Sequence, residues 1–170
     1  MISRKYLILI AVACLIIVID QITKLYIHTN FQLGESIPVI KDFFHFTYVR
    51  NEGAAFGIFR DANEVFRDIF FLMMPPIAVV IIVFILKGLP DKELIQTLAL
   101  SGICGGAIGN YIDRVKYKYV IDFLEFKFGS YSYPSFNVAD SAIVCGVGVL
   151  IVIMFLEDKR ERAKLKATNS

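Results

Sequence analysis

Four long apolar stretches alternate with shorter polar ones along the chain. They run from about Tyr6 to Ile27, Ile69 to Leu86, Leu94 to Ile112 and Val138 to Leu156, close to the roughly 20 residues a helix needs to cross a bilayer. Pro75 and Pro76 predict a bend in the second. The third carries Gly102-x-x-x-Gly106 and Gly105-x-x-x-Gly109, a spacing that lets helices approach closely. Between the first two stretches lies a segment of different character, residues 28–68. Ser36 to Arg50 is rich in Val, Ile, Thr, Tyr and Phe and reads as strand, with Pro38 at an edge. Asn51-Glu52-Gly53 then begins a glycine-containing turn, followed by a stretch to Phe66 that reads as a short amphipathic helix. The expected fold is an all-α polytopic membrane protein, four transmembrane helices with a small β-sheet cradle outside the membrane. One domain covers residues 1–170, ending in a basic tail at 157–170.

Composition agrees with the pattern: 56% of residues are hydrophobic and the mean hydropathy is +0.62, too apolar for an ordinary soluble domain of this size. The net charge of +2 is small. Its basic residues form no stripe that would follow phosphates, so nucleic acid is not an expected partner. Their distribution does orient the helices. Arg4 and Lys5, the link with Lys87 and Lys92, and the tail from Lys159 to Lys166 are all basic for their length, which puts both termini in the cytoplasm. The first stretch reads as an uncleaved helix, because polar Asp20-Gln-Ile-Thr-Lys24 follows it rather than a flexible linker. Cys14, Cys104 and Cys145 each lie in an apolar run and read as small buried hydrophobes.

With that orientation, the polar residues collect at the outer ends of the helices. Asp20 and Lys24, spaced i, i+4, suit an ion pair that anchors the first helix, and direct catalysis is the alternative. Asn110, Asp113 and Arg114 share one face of the third helix, where Arg114 would pair with Asp113 or hold a substrate carbonyl. Asn137 and Asp140 have the spacing of a capping box at the start of the fourth helix. Capping alone would explain Asp140, but not Asp122 and Arg114 at the same level. Ionisable residues near hydrocarbon carry a cost and point to function. Asp122 and Asp140, on either side of a short aromatic loop, suit a pair in which one carboxylate activates water and the other protonates a carbonyl. The chain has only His28 and His45, no H-E-x-x-H, and no serine or cysteine with a histidine at recognisable spacing. Carboxylate-bound Mg²⁺ or Ca²⁺ stays open on composition alone. So does a small ion- or proton-coupled transporter relaying through Asp20, Asp113 and Asp140, although no internal repeat is visible. A binding factor without catalysis is a third reading. The aromatic residues Phe43, Phe44, Phe46, Tyr48, Phe56, Phe59 and Phe66 would rest on lipid or grip an extended peptide.

Taken together, Asp20-Gln-x-x-Lys24, Asn51-x-Gly-Ala-Ala-Phe56, Gly106-Ala-x-Gly-Asn110-x-x-Asp113-Arg114, Val120-x-Asp122-Phe123 and Phe136-Asn137-x-Ala-Asp140-Ser141 resemble bacterial lipoprotein signal peptidase (signal peptidase II). The resemblance runs from the first helix to the fourth, in order. It implies a membrane aspartyl endopeptidase that cuts diacylglyceryl-modified prolipoproteins before the lipidated cysteine, with a short helix able to close over the site. Asp122 and Asp140 match the catalytic aspartates. Asp20, Lys24, Asn51, Gly53, Asn110, Asp113, Arg114 and Asn137 match positions that support the site or contact substrate. No metal or other cofactor is expected. The partners would be the prolipoprotein and membrane lipid, the working form a monomer, and the location the bacterial inner membrane with the site near its outer face. Two positions depart from the pattern: Lys118, where members often have glycine, and Glu52 beside Asn51.

Overall fold

The structure is a computed structural model and describes residues 3–53 and 63–168. Four helices dominate it: α1 (Arg4–Asn30), α2 (Glu64–Gly88), α3 (Leu94–Tyr117) and α4 (Val138–Thr168). Four strands, β1 (Ser36–Ile40), β2 (Phe44–Asn51), β3 (Val120–Phe128) and β4 (Tyr131–Ser132), form one antiparallel sheet in that order. The expected strand over Ser36 to Arg50 is thus two strands, joined by a turn in which Asp42 takes a positive φ of 59°. Pro38 does lie on an edge strand, paired with His45 of β2, a position where proline is tolerated. The stretch between Asp122 and Asp140, expected as a loop, contains β3 and β4 instead. Its Val, Ile and Phe content pairs with β2 once the tertiary fold brings that strand alongside. Pro75 and Pro76 sit inside α2. The amphipathic helix expected before Phe66 falls mostly outside the described residues. Asn63 caps α2, its side-chain oxygen accepting from the backbone N–H groups of Val65 and Phe66.

α1, α2 and α4 are each long and apolar enough to cross a membrane, with mean hydropathies of 2.4, 3.0 and 2.4 over their most apolar windows. α3 does not reach that composition although it has 24 residues. The reason is its position. It packs against α1, α2 and α4, and its buried face is built of small and polar residues, among them Ser101, Gly105, Gly106, Ala107 and Asn110. A Cβ on Gly106 would collide with the carbonyl oxygen of Ala139 on α4, and one on Gly109 would lie 2.7 Å from Asp20 Oδ2 on α1. Glycine is therefore required at both places for helix contact. Most of the lipid-type surface lies on the other helices, where Ile22, Val80, Phe84, Val144 and Phe155 are exposed, although α3 also exposes Ile95 and Val115. Cys14 and Cys145 are exposed there too, contrary to the expectation of burial; only Cys104 is in the core.

Two apolar clusters hold the ends of the bundle. Leu9, Ile82, Leu86, Leu100 and Cys104 pack α1, α2 and α3 at one end. Ile27, Tyr48, Ile121 and Phe123 seat the sheet on α1 at the other. Between α3 and β3 the chain reverses at Lys118, in left-handed conformation with φ 70° and ψ 0°. That conformation is costly for a side chain with a Cβ, so the turn keeps its shape against a local strain of about 1–2 kcal/mol. Two substitutions should act in opposite directions in a detergent melting experiment. Gly106→Val should lower stability by at least about 1–3 kcal/mol through overpacking, and Lys118→Gly should raise it by up to about 1 kcal/mol.

Candidate active site

Lys24 is 1% exposed, and the residues around it explain why burial is tolerated. Its Nζ lies 2.8 Å from Asp20 Oδ2 and 2.9 Å from Asp113 Oδ2, and donates to Asn110 Oδ1 at 2.8 Å. Three acceptors use the three ammonium protons, which is the condition for burying a charge. The same carboxylates also tie down backbone from other elements. Asp20 Oδ1 accepts from the Ala139 N–H of α4 at 2.9 Å, and Asp113 Oδ2 also accepts from the Ile121 N–H of β3 at 3.1 Å. Gln21 joins the network, donating to Asp113 Oδ1 at 2.9 Å and to the Gly109 carbonyl at 3.1 Å.

From Lys24 the orientation of the amides follows. An ammonium only donates, so Asn110 must turn its carbonyl oxygen to Lys24 and its amide nitrogen away. That nitrogen donates to Asp140 Oδ1 at 2.7 Å. Asn137 is placed in the same way. Its Nδ2 donates to Asp122 Oδ1 at 2.7 Å and contacts Asn110 Oδ1 at 3.2 Å, while its Oδ1 accepts from the Asp140 N–H at 2.9 Å. The Asn137 N–H returns a bond to Asp140 Oδ2 at 3.3 Å, closing the reciprocal capping box expected at the start of α4. Asn51, at the end of β2, donates to Asp122 Oδ2 at 2.9 Å. Asp122 and Asp140 therefore share Asn137 as a common neighbour.

Asp122 is 2% exposed. Burial first, and then the nearby negative charge of Asp140, push its carboxyl up to about 7, although the amides of Asn51 and Asn137 and the more distant Lys24 pull the other way. Arg114 departs from expectation. Its side chain does not pair with Asp113, which is taken by Lys24, but donates from Nη2 to the Gly53 carbonyl at 3.1 Å, with its guanidinium 4.7 Å from the Phe71 ring centroid. It turns towards the segment after β2 rather than into the Lys24 cluster. Gly53 in turn donates its N–H to Asn51 Oδ1 at 3.1 Å. Glu52 points to Arg67, at 3.3 Å, and not to the aspartates. Among the described residues no three His, Cys, Asp or Glu side chains converge as metal ligands.

All ten residues singled out in the sequence thus lie in or beside one connected network. Gln21 and Gly109 belong to it as well. Gln21 stood inside the first motif, but its partners are 88 and 92 residues away, and the backbone donors of Ile121 and Ala139 leave no mark on a sequence.

The model of the family described as Signal peptidase (SPase) II matches residues 12–156. The chain belongs to the signal peptidase II family. Lipoprotein signal peptidases from Syntrophus aciditrophicus (strain SB) and Brevibacillus brevis (strain 47) are 42% and 46% identical to it, over 93% and 89% of this chain and 99% and 97% of theirs. A solved structure described as a bacterial membrane enzyme superposes with a TM-score of 0.75 at 34% identity, covering 89% of this chain and 88% of the other. A second such structure gives 0.73 at 33% identity, over 86% and 91%. Membership in signal peptidase II makes this chain a membrane protease.

Removing the cation of that network should be severe. Lys24→Met leaves Asp20 and Asp113 buried without a counter-charge and should cost about 3–5 kcal/mol. The triple variant Asp20→Asn, Lys24→Met, Asp113→Asn should recover much of that loss in thermal melting, because the uncompensated charge is gone.

Proposed function

We propose that this signal peptidase II is an aspartyl endopeptidase that removes the signal peptide from diacylglyceryl-modified prolipoproteins, cutting before the lipidated cysteine with water activated between Asp122 and Asp140. The observation that carries the reading is the shared hold of Asn137 on both carboxylates, 2.7 Å to Asp122 and 3.3 Å to Asp140. The relatives' name, lipoprotein signal peptidase, supports the substrate class.

The two carboxyls stand in unlike surroundings. Asp122, pushed up to about 7, is part protonated near neutral pH and suits the acid. Asp140, in the first turn of α4, accepts from the Asn110 amide on Oδ1 and is left as the base. Water would lose its proton to Asp140 as its oxygen attacks the scissile carbonyl carbon, and Asp122 would deliver its proton to the carbonyl oxygen. In the second step Asp140 returns its proton to the leaving nitrogen as the C–N bond breaks, and Asp122 takes one back from the hydroxyl that becomes the new carboxyl. No covalent enzyme intermediate or metal is needed. Asn51, Asn110 and Asn137 hold the pair, while Asp20, Lys24 and Asp113 hold the amides. Arg114, through the Gly53 carbonyl, steadies the segment that would meet the peptide.

In this reading all four helices span the membrane, α3 screened by the other three. Both termini face the cytoplasm, the site lies near the outer face, and a single copy works alone. A substrate anchored by acyl chains has its scissile bond near the membrane surface, which suits a site at the helix ends. The transporter alternative asks for charge spread through the membrane depth. Here Asp20 and Asp113 share Lys24 in one cluster, which argues against a relay.

Cleavage of a synthetic diacylglyceryl-cysteine prolipoprotein peptide by the purified enzyme tests the proposal. Cutting before the cysteine, only when lipidated and unchanged by EDTA, is expected; loss in EDTA would make the carboxylates metal ligands. Asp122→Asn and Asp140→Asn should each abolish turnover in protein that still melts cooperatively. Activity should also fall as pH rises above about 7, because Asp122 then loses the proton it donates. A rate that keeps rising through pH 9 would reverse the assigned roles.

A further inference from the structure

The strand that brings Asn51 to Asp122 is not regular. β2 and β3 pair Phe44 with Phe126 and Phe46 with Leu124, and then, past an irregularity, Val49 with Asp122 and Asn51 with Val120. Thr47 and Tyr48 of β2 therefore stand opposite the single residue Phe123 of β3, the arrangement of a β-bulge. Side chains alternate along a strand and directly opposed residues share a face, so one extra residue exchanges the faces of everything beyond it. Phe44 and Phe46 lie on the Asp122 face before the bulge, and Val49 and Asn51 lie on it afterwards. Without the bulge Asn51 would point to the other face, and its 2.9 Å bond to Asp122 Oδ2 would be lost.

The bulge is fixed at Tyr48. Its buried ring packs with Ile27, Ile121 and Phe123. Its backbone N–H donates to the Glu35 carbonyl at 3.0 Å and its carbonyl accepts from the Gly34 N–H at 2.9 Å, while Thr47 Oγ1 donates to the same Glu35 carbonyl at 3.0 Å. The hydroxyl is held as well. Arg50 Nε–H donates to Tyr48 Oη at 3.0 Å, and His28 Nδ1, in the last turn of α1, meets that oxygen at 2.6 Å. A guanidinium only donates, so the Tyr48 oxygen accepts there and its own hydrogen goes to His28 Nδ1. The imidazole is itself braced. It rests on Tyr117, with centroids 4.9 Å apart. Tyr117 belongs to a column in which it stacks on Tyr119 at 5.7 Å, with Lys116 Nζ 4.7 Å from the Tyr117 centroid and the Arg50 guanidinium 4.7 Å from that of Tyr119.

We propose that His28 is a positioning residue for the peptidase: by accepting the Tyr48 hydroxyl it locks the bulge of β2 to α1 and so keeps the Asn51 amide on Asp122. This role rests on the reading of Asp122 as the acid. Apolar packing keeps the Tyr48 ring out of water without setting its depth, whereas a hydrogen bond to a braced imidazole fixes the ring along its own axis. α1 thus acts on Asp122 from two sides. Lys24 orients the asparagines of α3 and α4, and His28, one turn later, holds the strand from which Asn51 arrives.

Kinetics of the purified full-length enzyme on the diacylglyceryl-cysteine peptide test this. Tyr48→Phe and His28→Phe, each checked for cooperative melting, should lower kcat about tenfold, the worth of one lost hydrogen bond. His28→Asn, whose Oδ1 accepts near the place of Nδ1, should stay within about twofold of the wild type. In an Asn51→Ala background neither Phe substitution should lower kcat further, because the route through Asn51 is already cut. The pH profile separates positioning from general loosening. The Asn51 amide pulls the Asp122 carboxyl down from where burial would put it, so losing that bond raises it. The alkaline fall in activity should therefore move to higher pH, alike in Asn51→Ala, Tyr48→Phe and His28→Phe. Asp140, Lys24 and Arg114, the charged groups that act on Asp122 from α4, α1 and α3, are unchanged in all of them. A wild-type rate or an unmoved alkaline limb in Tyr48→Phe, or effects that multiply with Asn51→Ala, would overturn the proposal. Wild-type turnover in Asp122→Asn would overturn it together with the reading of Asp122 on which it rests.

Discussion

A buried ammonium is the constraint on which the rest of this molecule depends. Lys24 cannot stay charged inside an apolar bundle unless every proton has an acceptor, and meeting that condition recruits α1, through Asp20, and α3, through Asp113 and Asn110. The two carboxylates keep capacity to spare, which they spend on the N–H groups of Ala139 and Ile121. Those bonds bring the start of α4 and the start of β3 to the same place. One cation thereby fixes the relative positions of three helices and a strand.

Beyond the ammonium, three asparagines carry the arrangement outward. A carboxamide has one end that accepts and one that donates, so each must be oriented by its neighbours. Lys24 orients Asn110, Asn110 and the capping box orient Asn137, and Asn137 meets Asp122. Asn51 reaches Asp122 from the other side, on a strand registered so that Asn51 opposes Val120 and Val49 opposes Asp122. Asp122 is therefore buried, hydrogen-bonded among the described residues only by neutral amides, and near a second carboxylate. Those conditions, rather than the residue type, separate its proton affinity from that of an ordinary aspartate.

Much of this was legible in the residues. The apolar stretches marked all four helices, and the motifs marked the members of the network, because burying charge demands particular side chains at particular spacings. Some expectations failed for physical reasons. Arg114 does not pair with its neighbour Asp113, since Lys24 from another helix claims that carboxylate. The stretch after Asp122 is strand, because β2 lies beside it to pair with. α3 falls short of a membrane span in composition because the face it packs against its neighbours is built of small and polar residues.

Local pattern thus determined the helices, their caps and the identity of the polar residues, all of which depend on neighbours within a turn or two. The tertiary structure alone decided which acceptor each donor meets. Lys24 and Asn110 are 86 positions apart, and Ala139 and Asp20 are 119. The same holds for the stacked column of Lys116, Tyr117, Tyr119 and Arg50, whose members belong to a helix, a turn and a strand. Hydrogen bonds and ring contacts act over a few ångströms, so no spacing along the chain announces them until the fold has closed that distance.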